Sequence, residues 1–142
     1  MLKCKLLAFI FYYCYTTDMK NVLQKNHLKN TTCRTEILRC LSATKKPIAA
    51  ETIHVKLKKQ FDLVTIYRNL NAFEAKGIVF RETINKADCF YLADIPHHHI
   101  ICRSCDAVAC LPCDHKKFTI PHFKNIAHRL VLTGICRQCA QA

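Results

Sequence analysis

The sequence predicts an α+β chain of two modules, a winged helix-turn-helix followed by a small α/β module stapled by metal. Three observations predict it. Helical periodicity runs from Met19 to Gly77; strand-like patterning replaces it as far as Leu92; and beyond Asp94 the chain becomes short, Cys/His-rich and marked by two Cys-x-x-Cys pairs. The expected boundaries are residues 19–93 and 94–142. Modules of that size are marginally stable on an apolar core alone, so a staple in the smaller one is physically reasonable.

Residues 1–18 stand apart. Lys3 and Lys5 precede an apolar run from Leu6 to Tyr15, which has the look of a signal peptide. The run is too short to span a bilayer and no small-residue cleavage site follows it. We expect a non-native or disordered extension, with an export signal as the competing reading. From Met19 a polar helix opens. The next helix begins after Thr31 or Thr32 as N-cap, places Ile37, Leu38 and Leu41 on one face, and ends by Lys45-Lys46-Pro47. A further helix is expected from about Ala49 to Gln60, on Ile53 and Leu57, with Lys56, Lys58 and Lys59 near its C-terminus, where cations suit the helix dipole. Asp62 can then cap a third, Leu63 to Lys76, with the stripe Leu63, Ile66, Leu70 and Phe73 and with Gly77 at the left-handed cap position.

After Gly77 the period changes. Ile78 to Ile84, a polar turn over residues 85–88, and Cys89 to Leu92 read as a hairpin. Helices followed by a hairpin give the order of a winged helix, in which the last helix packs its apolar stripe inward and offers its other face to the major groove. Thr65, Arg68, Asn69 and Asn71 lie off the stripe, with Tyr67 at its margin. These side-chain types contact bases and phosphates, though a solvated polar face would look the same. Charge favours DNA: residues 19–86 hold 14 basic and 5 acidic side chains, against 6 and 4 in residues 87–142.

Eleven cysteines could mark a disulfide scaffold, but Cys102-x-x-Cys105 and Cys136-x-x-Cys139 have the spacing of two zinc knuckles, and the total is odd. We expect one structural zinc per chain on these four thiolates and a reducing, cytoplasmic setting. Redox dithiols are the rival, without the βαβ context that such a motif needs. Ile100-Ile101 and Leu130 to Leu132 suggest strands running to each knuckle. His97-His98-His99 precedes the first. On a strand His97 and His99 share a face, enough for part of a second metal site whose further ligands could be Cys89, Cys110 or His128, with His115 and His122 in the same stretch.

At this point the motifs match a known pattern. Thr31-Thr-Cys-Arg34 with Ile37-Leu38, Thr65-Ile-Tyr-Arg68-Asn-Leu70, Glu74-Ala-Lys-Gly77-Ile-Val79, Tyr91-Leu-Ala-Asp94, His97-His-His99-Ile-Ile-Cys102 and His128 to Cys136 follow one another as in the ferric uptake regulator family, which the chain resembles over roughly residues 20–140. The resemblance implies an N-terminal DNA-binding domain and a C-terminal dimerisation domain. It further implies a homodimeric repressor of a double-stranded DNA operator, with no enzyme activity, small-molecule substrate or membrane partner. Tyr67 and Arg68 would carry over as DNA contacts. Arg34, Thr65 and Asn69 complete the candidate set.

Three positions depart from the family pattern. Lys46 stands where iron and peroxide sensors usually place a histidine, Tyr91 where they place a carboxylate, and Cys110 where an acidic residue is usual. Fewer oxygen ligands and nearby thiols favour a second, regulatory zinc over ferrous iron. The stretch from Cys110 to His128 is also short for the family's dimerisation helix. Two other readings stay open: an iron-responsive regulator, and a zinc-stapled interaction module that binds no DNA. A catalytic zinc is disfavoured, since residues 95–142 hold only two acids, Asp106 and Asp114.

Overall fold

The computed structural model describes residues 18–44, 46–93, 97–111, 120–124, 126 and 130–141. The chain divides into two compact units after Asp94. In the first, helix α1 (Met19–Lys25) starts at Asp18, whose side chain accepts from the Lys20 N–H, and buries Met19 and Leu23. Helix α2 (Thr32–Ser42) is capped by Thr31 and buries Ile37, Leu38 and Leu41. Strand β1 (Ile48–Ala49) leads into α3 (Ala50–Lys56), and α4 (Leu63–Ala75) follows with Asp62 as its N-cap.

Helix α3 is shorter than its sequence pattern suggests. Lys58 and Lys59 take φ of 52° and 57°, so the chain leaves the helix after Lys56 and turns through two left-handed residues. Of the three lysines expected near its C-terminus, only Lys56 lies in the last turn. Helix α4 ends in a Schellman motif: Ile78 N–H donates to Phe73 O at 3.0 Å and Gly77 N–H to Glu74 O at 2.9 Å, with Gly77 at φ 67°. Ile78 and Phe73, the apolar pair that accompanies this motif, are both buried.

The hairpin is β2 (Val79–Ile84) and β3 (Ala87–Leu92), closed by only two residues, Asn85 and Lys86, both left-handed at φ 49° and 66°. This is the I′ geometry that matches strand twist, tighter than the four-residue turn expected. Strand β1 adds to the other edge of β3, giving the order β1-β3-β2. The core joins Leu23, Ile37, Leu38, Ile53, Ile66, Leu70, Phe73, Val79 and Phe90. Each such side chain contributes ~1.5–3 kcal/mol when taken out of water.

The second unit is a three-stranded sheet of order β5-β4-β6, from β4 (His98–Cys102), β5 (Val108–Leu111) and β6 (Val131–Gly134), with a short helix α5 (Arg137–Ala140). Strand β5 runs antiparallel to β4, while β6 runs parallel to it with Cys102 opposite Gly134. Parallel pairing delivers the two Cys-x-x-Cys segments to the same end of the sheet. The stretch in which a shortened dimerisation helix was expected lies mostly outside the described residues.

Candidate metal centres and nucleic-acid interface

Cys102 closes β4, Cys105 lies in the turn after it, Cys136 is the N-cap of α5 and Cys139 sits inside that helix. Their four Sγ atoms all lie within 4.8 Å of one another, and Cys105 and Cys136 are 3.7 Å apart. A tetrahedron of thiolates at ~2.3 Å from zinc has edges of ~3.8 Å, so the donor set fits structural zinc. The N–H groups of Cys136 and Ser104 donate to Cys102 Sγ at 3.3 and 3.4 Å and pull that thiol down to about 6. The neighbouring thiols of Cys136 and Cys105 push Cys139 up to about 12. Without a cation the cluster resists full ionisation; a divalent metal removes that resistance, and its binding displaces protons.

A second cluster lies on the same sheet. His97 and His99 are two apart, with ring centroids 4.7 Å apart, and Cys110 on β5 is directly opposite His99. One donor atom from each of the three lies within 4.8 Å of the others. His99 is 1% exposed, while His97 and Cys110 are half-buried. His98, facing the other way, is also buried. Cys89 sits in the sheet of the first unit, opposite Glu82 and Ala49. Burial, then the carboxylates of Asp88, Glu82 and Glu51, push its thiol up, so Cys89 is held neutral. His115 and His128 lie outside the described residues, and His122 is exposed.

The five residues nominated for DNA contact divide into three groups. Arg34 and Asn69 hold each other: Arg34 Nε donates to Asn69 Oδ1 at 2.9 Å, and Arg34 Nη1 to Lys29 O at 3.0 Å, fixing α2 against α4. Thr65 is engaged at the cap, its Oγ1 donating to Asp62 Oδ2 at 2.6 Å. Tyr67 donates to Glu51 Oε1 at 2.8 Å on α3, and Arg68 is exposed. The outer face of α4 is therefore Val64, Arg68 and Asn71, spaced four and three apart. Val64, at 67% exposed, was not singled out from sequence. Its signal was present as a β-branched apolar residue off the stripe, of the kind that can meet a thymine methyl.

Arg81 was also missed. From β2 it donates to Asn71 Oδ1 and Glu74 Oε2, each at 2.6 Å, and to Asp88 Oδ2 at 3.0 Å, with its guanidinium 5.0 Å from the Phe90 ring centroid. It ties the hairpin to the end of α4. No period or motif marks an arginine for such a role.

Fold and sites together define a winged-helix protein with a thiolate metal staple and a second His/Cys donor cluster. The ferric uptake regulator family model matches residues 25–131. The ferric uptake regulation protein of Staphylococcus epidermidis is 30% identical over 132 residues, covering 87% of this chain and 95% of that protein. That of Campylobacter upsaliensis is 28% identical, covering 84% and 85%. Among solved structures, the Vibrio cholerae ferric uptake regulator superposes with a TM-score of 0.64 at 28% identity, covering 84% of this chain and 100% of that one. The Pseudomonas aeruginosa regulator with manganese gives 0.62 at 26%, covering 85% and 99%. The chain belongs to the ferric uptake regulator family, and so is a metal-binding, DNA-binding regulator of transcription. Among the described residues no helix is long and apolar enough to cross a membrane.

Proposed function

We propose that this regulator is a homodimeric, zinc-responsive repressor that acts in the cytoplasm on operators of metal-homeostasis genes. The carrying observation is that β4 and the residue before it carry parts of two distinct donor sets, His97 and His99 at the start of the strand and Cys102 at its end, each joined by donors from elsewhere in the same unit. Four thiolates make a closed, structural site. Two imidazoles and one thiol leave a coordination position open and suit a borderline metal such as zinc better than ferrous iron. Of the further ligands expected from sequence, His128 lies outside the described residues, and Cys89 lies in the first unit with a thiol that its surroundings keep neutral.

In this reading His97, His99 and Cys110 hold the regulatory metal. Arg68 and Tyr67 read bases, with Thr65, Asn69 and Arg34 fixing the helix that carries them. The DNA-competent arrangement binds the metal more tightly, so DNA and metal affinities rise together. A second reading, response to iron, is favoured by the Staphylococcus epidermidis and Campylobacter upsaliensis relatives, both named ferric uptake regulation proteins.

Metal content and operator affinity of purified Cys110→Ser test the assignment. We expect it to retain one zinc per chain and to bind DNA equally with and without added zinc. Loss of all zinc would place Cys110 in the structural site instead. Wild-type DNA affinity that rises with ferrous iron and ignores zinc would move the protein to the iron reading. An Arg68→Ala variant that binds operator like the wild type would remove Arg68 from the base-reading residues.

A further inference from the structure

The turn between α3 and α4 combines features that the metal sites and α4 do not explain. Lys58 and Lys59 are consecutive non-glycine residues in the left-handed region, at φ 52° and 57°. That region disfavours any side chain with a Cβ, and glycine or asparagine is its ordinary occupant. The conformation is nonetheless well held: Lys58 N–H donates to Val55 O and Lys59 N–H to His54 O, each at 2.9 Å. Lys56, Lys58, Lys59 and Gln60 are all exposed, and among the described residues none of these lysines has an ion-pair partner. Strained lysines rather than glycines, left without a carboxylate, point to a use for the charge outside the chain.

Position identifies the ligand. The turn ends at Asp62, the N-cap of α4, three residues before Thr65 and six before Arg68. When the N-terminal part of a helix enters the major groove, the turn leading into it comes over the flanking backbone. We propose that Lys58 and Lys59 form a phosphate clamp, their ammonium groups engaging the sugar–phosphate backbone beside the groove that receives α4. This rests on the DNA-binding reading. The clamp adds affinity without sequence preference and fixes the register of the helix on the duplex, leaving base choice to the outer face of α4.

The experiment is a salt titration of the full-length, zinc-loaded protein on a fluorescein-labelled duplex of mixed sequence, comparing wild type with Lys58→Ala/Lys59→Ala and with Lys58→Gly/Lys59→Gly. Each lysine that neutralises a phosphate contributes about 0.9 to the slope of log K against log salt, so both double variants lose about 1.8 per bound chain. Across a fourfold rise in salt the wild type then loses about twelvefold more affinity per bound chain than either variant. The glycine variant separates charge from folding: relief of left-handed strain raises its Tm while its DNA affinity falls. A wild-type slope in both variants overturns the clamp while leaving DNA binding intact. A wild type that binds no duplex under any metal overturns the DNA-binding reading and the clamp with it.

Discussion

The two units fill their interiors with different chemistry. In the first, α1 to α4 and the β1-β3-β2 sheet close over aliphatic and aromatic side chains, which make up nine of the ten largest fully buried side chains among the described residues. In the second, the buried residues among those described are Ile101, Cys102, His98 and His99, and several large apolar side chains stay outside: Phe123 is 70% exposed and Ile135 49%. Among the described residues, the first unit buries far more apolar side chain than the second. What its described residues bring together instead is two sets of metal donors, and where such a set holds a metal, binding is coupled to folding. That arrangement suits a sensor, since a metal can only report on itself by changing the stability of something it holds.

The sharpest break of this contrast comes from Cys102→Ser or from exhaustive chelation. Structural zinc supplies ~10–16 kcal/mol in small zinc domains, more than a unit of this size can lose. We expect the second unit to unfold while α1 to α4 persist, seen as retained helical far-UV circular dichroism together with loss of amide protection in β4, β5 and β6. Cooperative loss of the helices with the metal would show that the first unit does not stand on its own core.

Next in size is Phe73→Ala. Phe73 is fully buried at the C-terminal end of α4, where it also anchors the Schellman motif through its carbonyl. Emptying such a site costs ~3–5 kcal/mol. Urea unfolding followed by helical signal should show that loss, with zinc content unchanged. A loss below ~1 kcal/mol would mean the site collapses around the smaller side chain and the core is less tightly packed than the burial implies.

How much of this was legible beforehand follows the same division. Long periodic elements were readable: the Ile66, Leu70 and Phe73 stripe, the Thr31 and Asp62 caps and the Gly77 stop all stand where local rules put them. The thiolate staple was readable because Cys-x-x-Cys forces two sulfurs to one side of a turn whatever surrounds it. Strand β1 was not, since two residues carry no period. The end of α3 was misjudged because Lys58 and Lys59 are good helix formers, and tertiary context overrode propensity. The pairing of Cys110 with the histidines depended on β5 register, which the sequence does not print but antiparallel pairing with β4 supplies. The Arg81 network needed long-range contacts, and so did the hydrogen bond from Arg34 to Asn69 between α2 and α4.

The smallest effect expected separates a charge from a hydrogen bond at the head of α4. Asp62 accepts from the Thr65 hydroxyl at 2.6 Å and the Thr65 N–H at 2.7 Å, and these bonds, the side-chain one first, hold its carboxyl below the ordinary 3.8. A depressed folded-state value means stability that is present above 3.8 and lost as pH falls through the folded value. Asp62→Ala should therefore lower the urea midpoint of the metal-free protein near neutral pH, and its deficit against the wild type should shrink as the wild-type carboxyl protonates below 3.8. Asp62→Asn keeps an acceptor for the same N–H but has no charge to lose, so its midpoint should stay near that of the wild type at neutral pH and fall less steeply in acid. A constant deficit for Asp62→Ala at every pH would show that the side chain acts at this cap through its shape alone, with its ionisation contributing nothing to the stability of the first unit.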